Sequence, residues 1–171
     1  LDIVFQLAVL ILSVVVHEVS HGAVANYLGD PTARLQGRLT LNPLKHIDPI
    51  GSVAVPLLLF FTNSGFLFGW ARPVPFNPYN LRNQKWGEAI VAGAGPLSNI
   101  LLALIFGLVI RFGGALPNSF IEIAAEVVLI NLVLAMYNLI PIPPLDGSKI
   151  LFSFLPLSMQ EMRDALERYG F

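Results

Sequence analysis

His17-Glu18-Val19-Ser20-His21 gathers two imidazoles and a carboxylate into five consecutive residues. On a helix, four residues advance about 400°, so the imidazoles emerge roughly 40° apart, one turn above the other. They can share one metal ion. Zinc suits two imidazoles plus a carboxylate, and it lowers the pKa of a bound water to about 7. Glu18, beside the pair, is placed to take a proton from such a water. A five-residue pattern also arises by chance, and the setting is what gives this one weight. Glu18 is the only charged residue between Ile3 and Leu28, and a charge near a membrane centre costs roughly 2.5–3.5 kcal/mol.

Two histidines call for a third protein ligand. Asp146 ends an apolar stretch in Asn138-Leu139-Ile140-Pro141-Ile142-Pro143-Pro144-Leu145-Asp146-Gly147. The prolines there cannot sit in a regular helix interior, so the backbone must open. Open backbone at membrane depth is tolerated only where it is buried in protein or lines a polar cavity. The competing role for Asp146 is to cap a helix starting near Gly147. Asp2 and Asp30 are poorer candidates, at the chain start and in a turn. His46 is a lone loop histidine, expected to be solvated or hydrogen-bonded. Gly93, Gly95 and Pro96 read first as small residues that let helices approach closely. Asn99 either hydrogen-bonds across helices or polarises a substrate carbonyl.

These residues sit in a chain of 171 residues, enough for one domain over 1–171. Its hydrophobic fraction is 55%, its charged fraction 12% and its mean hydropathy +0.70. Soluble domains carry about 25% charged residues, so this is a membrane protein. With 10 basic and 11 acidic residues there is no broad basic face for nucleic acid. The apolar content excludes disorder. The absence of cysteine excludes disulfides, thiolate metal sites and a cysteine nucleophile. Leu1 stands where a complete chain would start with Met, as in a trimmed chain or fragment.

Spanning a bilayer takes roughly 20 apolar residues, and the stretches 3–28, 50–71, 89–110 and 127–145 approach this. The first lacks a basic leader region and is too long for a signal peptide. Core helices are expected over about 3–28, 87–112 and 122–145, followed by a tail over 146–171. The stretch 50–71 is interrupted by Pro56 and by Asn63-Ser64-Gly65. Arg34, Arg38 and Lys45 precede it and Arg72, Arg82 and Lys85 follow it. A full span, a re-entrant hairpin and an interfacial segment are all open to it; the positive-inside rule places both groups on one side, which favours a stretch that dips in and returns. Apolar and polar residues alternate over 33–41, the pattern of a short interfacial β-strand with Gln36 and Arg38 on its polar side. After Pro156, Ser158 can cap an amphipathic tail through Met159, Met162, Leu166 and Tyr169.

The H-E-x-x-H helix, Ala94-Gly95-Pro96-Leu97-Ser98-Asn99 and the N-x-x-P-x-P-x-L-D-G run, in this order, resemble the site-2 protease family of intramembrane zinc metalloproteases. The resemblance covers residues 3 to about 155. It implies an all-α polytopic membrane protein with a three-helix catalytic core. It implies one zinc ion per chain held by His17, His21 and Asp146, with Glu18 as general base. The helix of Gly95 and Asn99 would pack between the other two core helices, and Asn138 would lie beside the metal as a substrate contact. The substrate would be a transmembrane segment of another protein. It would enter laterally from the lipid bilayer, unwind, and pair with the strand at 33–41. The 171 residues hold neither a PDZ nor a nucleotide-sensing domain, and a bacterial or archaeal cytoplasmic membrane is the expected location. The rival class is a zinc-binding membrane transporter or silent scaffold. A transporter has no need for a non-ligating carboxylate next to a ligand.

Overall fold

The computed structural model describes residues 3–62, 71–114 and 116–156. Its helices are α1 (Ile3–Tyr27), α2 (Thr32–Leu35), α3 (Val55–Phe61), α4 (Gly87–Phe112), α5 (Asn118–Asn138) and α6 (Asp146–Phe154). Three runs, Val4–Tyr27, Gly87–Phe112 and Asn118–Asn138, are long and apolar enough to cross a membrane. At about 1.5 Å per residue they measure roughly 31–39 Å, against about 30 Å of hydrocarbon. α4 packs against α1, α5 and α6 and so holds the centre.

The packing is inverted relative to a soluble bundle. Leu10, Ile11, Leu101, Leu104 and Leu129 are exposed, whereas Ser13, His17, Asn99 and Asn131 are buried. Helical spacing explains how three apolar helices acquire a polar interior. Ser13, His17 and His21 recur every four residues on α1, and Val91, Gly95, Asn99 and Ala103 do so on α4. On α5, Asn131 and Ala135 share one face. Apart from the two histidines, these stripes are made of small or short polar side chains, and the helices close over them.

Sharp signals set the ends of the segments. α5 stops at Asn138, short of the expected 145, because Pro141, Pro143 and Pro144 follow. α6 begins at Asp146 itself, with Leu145 at the N-cap position and no side-chain cap there. Between α1 and α4 the chain returns to where it left: the Arg82 N–H donates to the Leu28 carbonyl at 2.8 Å. Asp30 fastens this return. It is fully buried and accepts hydrogen bonds from the Thr32 N–H and hydroxyl, the Asn77 N–H and the Asn80 amide. Burial alone would push its carboxyl up, but these donors together hold it below the usual carboxylate range.

The expected β-strand at 33–41 is not there, and no strand occurs among the described residues. Thr32–Leu35 is a helical turn instead, and Gly37 follows with φ +63°. Asp30-Pro31-Thr32 is a helix-start signal, and it overrides the alternation. The two-residue period also fails on burial. Ala33 is buried but Leu35 and Leu41 are 77% and 61% exposed, while Arg38 is buried. In the stretch 50–71, Asp48 caps a π-helical turn over Pro49–Ala54 that leads into α3. Residues 63–70 and the amphipathic tail expected from Ser158 lie outside the described residues.

Candidate active site

His21 and His17 lie six and ten residues before the end of α1, so the site sits about 9–15 Å below that helix end. Each ring is held by its Nδ1. His17 Nδ1 lies 2.6 Å from Asn99 Oδ1, and His21 Nδ1 lies 2.7 Å from the Val91 carbonyl. Both partners are acceptors here, because the Asn99 amide nitrogen is itself donating to Asn131 Oδ1 at 2.8 Å. Both Nδ1 atoms therefore donate, the arrangement in which the Nε2 of each ring is the atom that would bind a metal.

Those Nε2 atoms converge. His17 Nε2 and His21 Nε2 are 3.0 Å apart, and Asp146 Oδ2 lies 3.1 Å and 3.2 Å from them. Three potential ligand atoms this close need a shared cation, a proton or a metal ion, to hold them together. A tetrahedral ion with bonds of about 2.0 Å needs ligand atoms about 3.3 Å apart. The triangle fits zinc within a few tenths of an ångström. Gly95 makes room for it: a Cβ there would lie 2.5 Å from His21 Nε2 and 2.6 Å from His17 Nε2. The three residues form the metal-ligating group that the described residues offer.

A cavity of about 160 Å³ adjoins the triangle, lined by Glu18, Asn138 and Lys149 as well as His17, His21 and Asp146. Glu18 Oε2 accepts the Val74 N–H at 2.9 Å, from the extended chain that follows Ala71. The structure thus brings His17, Glu18, His21, Asp146 and Asn138 to one cavity. It places Asn99 behind His17, fully buried and away from the cavity. Gln36 is exposed at the end of α2, and the Arg38 guanidinium faces loop carbonyls. His46 is buried, its Nε2 donating to the Thr40 carbonyl at 2.9 Å.

Four residues of this neighbourhood escaped the sequence reading. Asn131 and Ser13 extend the support of His17: the Asn131 amide donates to Ser13 Oγ at 2.9 Å. A buried amide seven residues before Asn138, on an apolar span, was a signal available in the sequence. Lys149, three residues past Asp146 on α6, was another. Val74 carried no signal, because only the folded chain brings residue 74 to residue 18.

Comparison with known proteins agrees with this site. Residues 108–170 match Peptidase family M50. Over 170 residues the chain is 38% identical to "Putative zinc metalloprotease YwhC" of Bacillus subtilis, covering 95% of this chain and 74% of that protein. The chain belongs to peptidase family M50. Two further relatives carry the name "Putative zinc metalloprotease Rip2". That of Mycolicibacterium smegmatis is 30% identical over 94% of this chain and 61% of its own length. That of Mycobacterium tuberculosis H37Rv is 28% identical over 80% of this chain and 52% of its own length. No solved structure matches the chain. M50 is the site-2 protease family, so this is a membrane-embedded zinc metalloprotease and its substrates are proteins.

Proposed function

We propose that this single domain cleaves peptide bonds within or near transmembrane segments of other membrane proteins, using one zinc ion held by His17, His21 and Asp146. The observation that carries the reading is the convergence of three potential ligand atoms, two imidazole nitrogens and one carboxylate oxygen, beside a second carboxylate, that of Glu18. Bound zinc supplies a water acidic enough to lose its proton near neutral pH and polarises the peptide carbonyl. Glu18 accepts that proton on a carboxylate oxygen and passes it to the leaving nitrogen, so that one water is consumed per bond cut. Asn138 orients the substrate, since its amide nitrogen already donates to the Leu134 carbonyl and its Oδ1 is left for a backbone N–H. Asn99 orients His17 through Nδ1 and does not meet the substrate.

The chain between α1 and α4 supports the finer topology. The Arg72 N–H donates to the His46 carbonyl at 2.8 Å, so a chain that departs at His46 is back beside it at Arg72. An excursion with joined ends cannot cross the bilayer once. Ends held together in this way support a path that returns to the side it left, with three spans in the catalytic core.

The test separates metal from chemistry. Glu18→Gln should keep about one zinc per chain, while cleavage of a single-span substrate falls roughly 10²–10⁴-fold. His17→Ala and Asp146→Ala should each lose most of the zinc. Wild-type turnover by Glu18→Gln would refute the general base, and full zinc in Asp146→Ala would remove that ligand.

A further inference from the structure

Arg38 is buried, 7% exposed, yet among the described residues no carboxylate pairs with it. Its guanidinium is spread over carbonyls. Nη1 donates to Lys45 O, and Nη2 donates to Arg72 O at 2.7 Å and to Pro73 O at 3.2 Å. Burying a guanidinium with no ion pair in contact is costly, and a loop fastening could be made more cheaply with a neutral amide; the acidic charge it feels through space is that of Glu18. What distinguishes these carbonyls is the residue that follows them. The Val74 N–H is the donor to Glu18 Oε2, at 2.9 Å.

In Pro73-Val74-Pro75, Val74 alone has an N–H to offer. The flanking prolines restrict the backbone, so fixing the peptide planes of residues 72 and 73 fixes the direction of the next N–H. The Val74 side chain is seated against α1 where a Cβ on Gly22 would come within 2.6 Å of its Cγ1. Gly22 lies one turn past Glu18, so the seat and the carboxylate share a helix. The guanidinium at one end and the glycine seat at the other hold this N–H on Glu18.

We propose that Arg38 is a positioning residue for peptide hydrolysis: by gripping the Arg72 and Pro73 carbonyls it keeps the Val74 N–H on Glu18 and so fixes the orientation of that carboxylate toward the cavity. The proposal rests on Glu18 acting as the base. It replaces the substrate-contact role expected from the sequence, and the two roles separate kinetically. A positioning residue acts on kcat, whereas a substrate contact acts first on KM.

The experiment uses the full chain in detergent with a single-span substrate, measuring zinc content, kcat and KM. Arg38→Ala should retain about one zinc per chain and lose roughly 10–100-fold in kcat, with KM within about threefold. Methylguanidinium in the assay should recover part of that loss in Arg38→Ala and none in Glu18→Gln. Arg38→Lys should fall between, since one ammonium cannot span three carbonyls. In a Glu18→Gln background, adding Arg38→Ala should change the residual rate by less than about twofold, because both changes act through one group. Wild-type kcat in Arg38→Ala beside an inactive Glu18→Gln overturns the proposal, as does a raised KM with kcat unchanged. Loss of zinc or of folded protein in both Arg38 variants overturns it too, since Arg38 would then hold the fold and not the base. A fully active Glu18→Gln would instead remove the base itself, and the proposal with it.

Discussion

At the scale of single residues, the protons on His17 and His21 are placed by atoms that never touch the substrate. Asn99 Oδ1 and the Val91 carbonyl take the two Nδ1 protons, which leaves the Nε2 atoms facing Asp146 as ligands. The space they occupy is as specific as their protonation. Gly95 is where α4 passes the rings, and Gly95→Ala puts a methyl carbon 2.5 Å from His21 Nε2. Overpacking of this kind costs about 1–3 kcal/mol. Here it falls on the metal site, so zinc affinity should weaken on the order of ten- to a hundredfold. Competition against a chelator of known affinity measures this, and an unchanged affinity would mean that the helices move apart freely. Gly107, with nothing within 4 Å of a built Cβ, is the control.

At the scale of elements, the end of α1 is tied to the loop before α4 by Asp30. Its folded-state pKa is depressed by the donors from Thr32, Asn80 and Asn77. A depressed carboxylate contributes stability above its unfolded pKa of about 4, and that contribution is lost as pH falls through the lower folded value. Thermal stability in detergent should therefore decline as pH drops below about 4. Asp30→Asn should be less stable at neutral pH by about 1–3 kcal/mol, because the partly buried Asn77 N–H loses the Oδ2 that accepts it and meets an amide NH2 instead. It should also lose part of the acid dependence. Identical acid profiles for wild type and variant would show that other carboxylates govern it.

The same elements show what could be read in advance. The three spans were legible because a run of some 20 apolar residues has few other uses, and the histidine pair because its cost in such a run is high. Asp146 was legible from the prolines that open the backbone before it. The stretch 33–41 misled because alternation alone does not weigh a proline-led helix start against a strand. Arg38 and Val74 were opaque for another reason. Their roles depend on residues 34 and 56 positions away, which become neighbours only after α1 and α4 pack.

At the scale of the whole molecule, the site lies toward one side of the membrane. Arg34, Arg38, Lys45, Arg72, Arg82 and Lys85, six of the 10 Lys and Arg residues, lie between α1 and α4, the end where the site is. Arg111 is the basic residue near the opposite turn. The positive-inside rule then predicts that the site end faces the cytoplasm. Native cysteine is absent, so Lys85→Cys and Gly114→Cys are clean reporters. A membrane-impermeant maleimide should label Gly114→Cys in intact spheroplasts and Lys85→Cys only after they are opened. The reverse pattern would invert the orientation.

The ligands are also far apart in the order of synthesis. Asp146 follows His17 by 129 residues, after all three spans. A ribosome emitting this chain exposes two imidazoles early and the carboxylate last. Until Asp146 has emerged, only two of the three protein ligands exist, and zinc has no complete site to occupy. With this ligand set the nascent chain would lack a complete metal site while its own apolar helices enter the bilayer, and would gain one only once they are packed together.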